Sequence, residues 1–249
     1  MKKFSSIVIT GASSGIGEAL ALDYAQRGVA LALTGRDAGR LAAVAAACRT
    51  KGATVVADTV DVVEGEKLAA WLTAFDDVHP VDLLIANAGI SIDKDNSSLD
   101  DFSVIRKTFD VNVGGVLNTV EPLLPRMTTR KRGQIAVVAS LASFIGLPYS
   151  ASYNASKAAV RVWGESIRYA LKKDGIGVSV ICPGFVVSRM TANAPFLMPF
   201  LMTAARASAI IRHGLAHDHA RIAFPVGTKA AVWFGQALPG RWAARLLGG

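Results

Sequence analysis

Tyr153 and Lys157 stand four residues apart in a segment with helical spacing, and Ser140 closes the apolar run just upstream. Four residues is about one helical turn, roughly 6 Å of rise, so the phenol and the ammonium project from the same face. That pairing carries a definite chemistry. A free phenol has a pKa of about 10, and bringing it near 7 takes roughly 4 kcal/mol of preferential stabilisation of the phenolate. A neighbouring ammonium is the obvious source, and the phenol would then donate and accept a proton near neutral pH.

A pair of this kind needs a scaffold to hold it against a reacting atom, and the chain spells one out. Short apolar runs, many of them β-branched, lie at residues 5–10, 29–34, 53–60, 81–86, 133–139 and 176–182. Each reads as a strand buried on both faces. Between them lie longer segments with helical spacing at 17–27, 38–51, 64–75, 102–130 and 151–173. Six alternations of strand and helix predict one α/β domain over residues 1–249, a doubly wound parallel sheet with helices on both faces. A seventh strand is expected at 221–225. Pro183-Gly184 breaks the pattern, and residues 188–220 follow as a loop and helix rich in Met190, Phe196, Leu197, Met198, Phe200, Leu201 and Met202. Residues 228–249 read as an amphipathic tail interrupted at Pro239-Gly240.

The first strand ends in Thr10-Gly-Ala-Ser-Ser-Gly15-Ile-Gly17 and opens directly into a helix. Glycines let a backbone turn tightly and approach a pyrophosphate, while the helix N-terminus aims amide hydrogens and a partial positive charge at it. About 20 residues further on, an acid at the end of the second strand would select NAD. Thr34-Gly35-Arg36-Asp37 stands there instead. Arg36 suits a 2′-phosphate dianion, which favours NADP(H) over NAD(H), and Asp37 reads as the acid that starts the next helix.

Together these motifs resemble a short-chain dehydrogenase/reductase of the standard 250-residue branch, over residues 5 to about 188. TGASSGIG at 10–17 is similar to that family's TGxxxGxG, and Asn87-Ala88-Gly89 matches its NAG motif. Asp61-Val62 lies where the family contacts the adenine, and Asn112 occupies the family's helix-borne asparagine position. Ser140 precedes Tyr153 by the usual 13 residues, Lys157 completes YxxxK, and Pro183-Gly184 matches the turn that cradles a nicotinamide.

The resemblance implies a Rossmann-like fold and a catalytic set of Asn112, Ser140, Tyr153 and Lys157. In reduction, Tyr153 would donate a proton to a carbonyl oxygen that receives hydride at its carbon. Ser140 would bind the same oxygen, and Lys157 would lower the Tyr153 pKa and hold the cofactor ribose. Asn112 would keep a water that links Lys157 to solvent. Cofactor contacts would fall on Gly11, Ser13, Ser14, Gly15, Ile16, Gly17, Arg36, Asp61, Val62, Asn87, Ala88, Gly89, Tyr153, Lys157, Pro183, Gly184, Val186 and Ser188. The family's habit of assembly implies a homodimer or homotetramer.

Composition narrows the rest. The chain has 249 residues, a net charge of +8, a hydrophobic fraction of 51% and a mean hydropathy of +0.37. Yet the longest charge-free stretch of its last third, residues 190–205, is broken by Asn193, Pro195 and Pro199. It is too interrupted to cross a bilayer. The charged start, Met1-Lys2-Lys3-Phe4, runs straight into the glycine turn, so no export segment is expected. Cys48 and Cys182 are the only cysteines. Two thiols in apolar segments read as inert packing in a reducing cytoplasm.

From Ser188 onward seven basic residues face one acid, so residues 188–249 carry +6 of the net charge. A basic apolar helix of this kind would lie on an anionic bilayer or dock a partner subunit. Aromatic residues do not interleave with the charge, which argues against nucleic acid. His213, His217 and His219 lie close together, but no Cys or Glu joins them, so a polar helix end is expected rather than a metal site. Trp163 reads as packing or a subunit contact, and Glu165 and Arg168 as solvated or cross-subunit pairs.

The Met- and Phe-rich loop suits an adaptable apolar pocket. The expected reaction is therefore an NADP(H)-dependent interconversion of a carbonyl and a secondary alcohol on an apolar, lipid-like substrate. A 3-oxoacyl-thioester reductase is the alternative within enzymes, although the chain's ending departs from the one those reductases usually have. A sugar-nucleotide epimerase would be longer and spaced differently in its glycines. A catalytically silent cofactor-binding regulator is the reading from another class, opposed by the intact Asn112, Ser140, Tyr153 and Lys157.

Overall fold

A computed structural model of the chain describes residues 1–91, 101–146, 150–192 and 198–237. Seven strands form one sheet: β1 Ser6–Thr10, β2 Ala30–Thr34, β3 Thr54–Asp58, β4 Leu83–Ala86, β5 Gly133–Val138, β6 Ile176–Pro183 and β7 Arg221–Phe224. All are parallel, in the order β3-β2-β1-β4-β5-β6-β7. Helices α1 Gly15–Tyr24, α2 Ala38–Thr50 and α8 Ala204–Ala216 cover one face; α3 Gly65–Val78, α5 Gly115–Val120 and α7 Ala151–Leu171 cover the other. Helices α4 Phe102–Phe109, α6 Leu124–Arg130 and α9 Val226–Ala237 complete the chain.

The continuous apolar runs of the central strands follow from this covering. Ile7 and Ile9 enter the core under α1 and α8, while Val8 between them enters the core under α3 and α5. Alternate side chains leave opposite faces, and both faces are dry. The expectation of burial on both faces fails at β3, whose residues alternate between exposed and half-buried. It lies at the sheet edge, where only β2 pairs with it.

The helix expected over 102–130 is also broken. A π-helical turn, Asp110–Gly114, separates α4 from α5, and a turn at 121–123 containing Pro122 separates α5 from α6. Proline lacks the amide hydrogen an uninterrupted helix needs, and π turns widen a helix by one residue. The widening falls at Asn112, which is fully buried.

Between β1 and β4 the strand order reverses direction. At such a switch point the loops leave the sheet to opposite sides and open a crevice at the carboxyl ends of the strands. Asn87 bridges the crevice floor, its side-chain Nδ2 donating to the Thr10 carbonyl at 2.9 Å and the Gly11 carbonyl at 3.2 Å. The Thr10 hydroxyl in turn accepts from the Asn87 and Ala88 amides, each at 3.1 Å.

Candidate active site

The glycine turn between β1 and α1 is packed too tightly for side chains. Gly11 has φ of +66°, and a Cβ on Gly17 would lie 2.3 Å from the Gly11 carbonyl oxygen and 2.7 Å from the Asn87 amide nitrogen. Ser14 caps α1 without a side-chain bond to it, so the serine leaves the first-turn amides to another acceptor. Ser13 and Gly15, with Ile16 behind them, complete the wall, and the position of a Cβ on Gly15 lies 3.1 Å from Ser188 Cβ on the far side. A narrow, amide-lined cradle of this kind suits a pyrophosphate.

Arg36 follows β2 and lines a cleft of about 410 Å³ with Asp61, Val63, Lys107, Asp110, Val111, Gly114 and Asn118. Asp37 is occupied elsewhere: it caps α2 by accepting from the Arg40 amide at 2.9 Å and pairs with the Arg40 guanidinium. Among the described residues Arg36 and Lys107 have no ion-pair partner. Two of the residues named from the sequence have their side chains in the core. Val62 is buried against Gly115 and its carbonyl accepts from Asn118 at 2.9 Å, and the buried Val186 joins the core under α8. Val63, Lys107 and Asn118, which the sequence reading passed over, also line the cleft. They belong to no short motif, so only proximity reveals them.

At the C-terminal end of β5, Ser140 caps a single 3-10 turn, Leu141–Phe144, its hydroxyl accepting from the Ala142 amide at 3.1 Å. The same hydroxyl shares a hydrogen bond with the Tyr153 side chain. Lys157 lies one turn along α7, its Nζ 5.9 Å from the Tyr153 ring centroid and 2.9 Å from the Val138 carbonyl, to which it donates. Gly89 leaves room between Lys157 and Asn112; a Cβ there would sit 3.1 Å from both Lys157 Nζ and Asn112 Oδ1. Asn112 donates to the Ile90 carbonyl at 2.9 Å and to the Ser156 hydroxyl at 3.0 Å, and accepts from the Ile90 amide at 2.8 Å. Ser156 then donates to the Tyr153 carbonyl at 2.8 Å. This link from Asn112 to α7 was also missed, although Ser156 sits inside the YxxxK motif.

The electrostatics differ from the sequence expectation. Desolvation pushes the Tyr153 hydroxyl above its ordinary range, and the Ser140 hydrogen bond pulls in the opposite direction. Lys157 does not dominate because it is itself buried: loss of water lowers its pKa to about 8. Burying two ionisable groups together penalises both charges before it lets one help the other. Burial also pushes the Cys182 thiol up to about 12 and raises that of Cys48, so neither is a nucleophile at neutral pH.

Pro183 ends β6, and the Gly184 amide donates to the Phe224 carbonyl at 2.7 Å. Beyond it, Ser188 is held by Thr191, whose hydroxyl accepts from the Ser188 amide at 3.0 Å and donates to the Val186 carbonyl at 2.9 Å. Of the apolar residues that follow, Met202 is buried, while Met190, Phe200 and Leu201 are exposed. Phe196 and Leu197 lie outside the described residues, as do Pro239, Gly240 and the rest of the tail from 238. Rings of His213, His217 and His219 lie 4.3 to 6.1 Å apart at the exposed end of α8. Glu165 and Arg168, expected to be solvated or to reach another subunit, pair within the chain with Arg161, Arg221 and Asp218.

Residues 5–195 match the family model for short chain dehydrogenases. The chain belongs to the short-chain dehydrogenase family. It is 36% identical over 237 residues to an uncharacterised oxidoreductase of Myxococcus xanthus, covering 95% of this chain and 93% of that one. Over 184 residues it is 34% identical to the ketoacyl reductase HetN of a Nostoc strain, covering 73% and 63% of the two chains. A Sphingobium yanoikuyae short-chain dehydrogenase solved with NADPH superposes with a TM-score of 0.81 at 25% identity, over 96% of this chain and 91% of that one. A Burkholderia phymatum family member solved with NAD superposes at 0.82 and 27% identity, over 94% of each chain. The protein is thus a short-chain oxidoreductase of carbonyl or alcohol groups, built to bind a nicotinamide cofactor. No described helix is long and apolar enough to cross a membrane.

Proposed function

We propose that the protein reduces apolar, lipid-like carbonyls with NADP(H), and oxidises the matching alcohols, using Tyr153 as general acid and base. The observation that carries this reading is the convergence of Tyr153, Ser140 and Lys157 beside the PG turn and the glycine cradle. The nicotinamide supplies the hydride when bound. Tyr153 holds the transferable proton on its hydroxyl, and a raised pKa keeps it protonated for reduction at neutral pH. Ser140 orients the carbonyl oxygen toward that hydroxyl, a gain of position rather than of charge. Lys157 and the Asn112 network lie where a ribose and a proton path would meet the tyrosine.

The preference for NADP(H) rests on Arg36, an exposed cation in the adenine-side cleft with no acid paired to it among the described residues. Gly11, Ser13, Ser14, Gly15, Ile16 and Gly17 would take the pyrophosphate, Asp61 the adenine, Asn87, Ala88 and Gly89 the adjoining ribose. Pro183, Gly184 and Ser188 would border the nicotinamide. Exposed Val187, Met190, Phe200 and Leu201 on the loop beyond that turn favour an apolar substrate. HetN supports the narrower alternative of a 3-oxoacyl-thioester reductase.

Exposed Phe102, Leu117, Val162 and Tyr169 on α4, α5 and α7 support a homodimer or homotetramer built on those helices. Contact of the 228–249 tail with an anionic membrane rests on its charge alone. NADPH oxidation over a panel of medium-chain ketones, aldehydes and acetoacetyl thioesters, with Tyr153→Phe as control, tests the reaction. Cofactor binding by both proteins with turnover by neither would replace this reading with that of a silent cofactor-binding regulator.

A further inference from the structure

Ser140 stands at the start of a short turn. The 3-10 segment after it has four residues, and the hydrogen-bond geometry of such turns is poorer than that of an α-helix. It carries a bond from the Ala142 amide to the Ser140 hydroxyl and one from the Ser143 amide to the Ser140 carbonyl, at 3.1 Å each. The hydroxyl reaches the Pro183 carbonyl only at 3.5 Å, too long to set its position.

Support comes from the other end of the turn. Two guanidinium groups approach the Phe144 ring, with Arg161 Cζ 4.2 Å and Arg221 Cζ 5.1 Å from its centroid. Both contacts fall within the range where a cation is drawn to an aromatic face. Two cations on one ring repel each other, and Glu165 offsets this by bridging them: it accepts from Arg161 Nη1 at 3.2 Å and from Arg221 Nε at 3.0 Å. Arg161 also points Nη2 at the Ser143 carbonyl, at 3.5 Å.

The origins of these residues give the cluster its meaning. Tyr153, Lys157, Arg161 and Glu165 recur every four residues on α7, so the helix that carries the phenol also carries half of the support. Arg221 comes from the edge strand β7. The end of that strand meets the Ser140 turn again at Gly184, where a Cβ would lie 2.9 Å from Pro225 and 3.4 Å from Leu141.

We infer that Phe144, Arg161, Glu165 and Arg221 form a clamp that sets the distance between the Ser140 hydroxyl and the Tyr153 hydroxyl, and that all four are positioning residues for the reaction. The inference rests on the proposed roles of Ser140 and Tyr153. Losing the ring or the β7 cation frees the turn from α7, and Ser140 then meets the substrate oxygen and the phenol in a wider range of orientations.

Steady-state kinetics of Phe144→Leu and Arg221→Gln test this, with the panel carbonyl that wild type reduces fastest and with its alcohol. A misplaced orienting group costs rate, so kcat should fall about tenfold while the cofactor KM stays within about twofold. The Ser140 bond lowers the Tyr153 pKa, so the pH limb of alcohol oxidation should move upward in both variants. Phe144→Trp, which keeps an aromatic face, should restore kcat and the limb. Lower melting temperatures with wild-type kcat and an unmoved limb would overturn the clamp. Ser140→Ala, run in parallel, separates the two levels. If it is inactive while the clamp variants match wild type, the clamp alone falls; if it keeps wild-type turnover, the reading of Ser140 fails and the clamp falls with it.

Discussion

At the open ends of β1 and β4 the glycine backbone makes the close approaches and two side chains, Asn87 and Thr10, bond to backbone groups, whereas beyond β5 and β6 side chains bond and stack on one another. In the first region Gly11 and Gly17 approach within distances that exclude a Cβ, and Asn87 ties two strand ends together through carbonyls. In the second, a buried lysine, a tyrosine, a serine on a short turn and the Arg161–Glu165–Arg221 network set the geometry. Backbone cradles suit a ligand part that is the same in every turnover, such as a pyrophosphate. Side chains can be exchanged one at a time without disturbing a strand, which suits the side of the molecule where substrates vary.

This contrast can be broken by substitution on either side. The largest effect is expected from Tyr153→Phe: turnover should drop by about 10³-fold, within the range for loss of a general acid, with cofactor affinity close to wild type by fluorescence titration. If turnover persists, the proton comes from another group and the second region has been misread.

Lys157→Met should follow, with turnover down about a hundredfold and an opposite effect on stability. Its folded pKa of about 8 lies below the unfolded value, so a charged Lys157 opposes folding at neutral pH. Between about pH 8 and 10.5 the unfolded chain binds the extra proton, and wild-type stability rises with pH across that window. The methionine variant should therefore be more stable by up to about 3 kcal/mol at pH 7, and the gain should shrink as pH rises through the window. Urea denaturation at pH 7 and pH 10 measures both; a gain independent of pH would show that packing rather than charge is responsible.

Gly17→Ala probes the backbone region. The new methyl would press on the Gly11 carbonyl, and cofactor affinity should weaken by tens of fold alongside a loss of about 2 kcal/mol in stability, read by titration and melting. Wild-type affinity in that variant would mean the turn can open. Arg36→Ala should have the smallest effect, weakening NADPH by about tenfold, the value of one charge-assisted contact, and leaving NADH unchanged. Equal change in both cofactors would refute the assignment of the 2′-phosphate to Arg36.

Several features were legible in the chain before any coordinates, and they share a physical origin. The glycine turn, the NAG and YxxxK motifs and the alternation of apolar strands with helices depend on contacts close in sequence or on covering both faces of a sheet. Features set by sequence-distant neighbours were not legible. The edge position of β3, the π turn at Asn112 and the inward turn of Val62 and Val186 each depend on what the fold brings alongside.

By itself, then, the sequence determined the parallel α/β architecture, the glycine turn and the helical spacing of Tyr153 and Lys157, because backbone conformation and helical periodicity are local. Only the tertiary structure decided the charge balance of the tyrosine and lysine. Spacing on a helix brings an ammonium near a phenol, but burial determines how much water either keeps, and desolvation is the largest influence on both. The same holds for Glu165, whose partner Arg221 lies 56 residues away and reaches it only because β7 pairs beside β6 at the edge of the sheet.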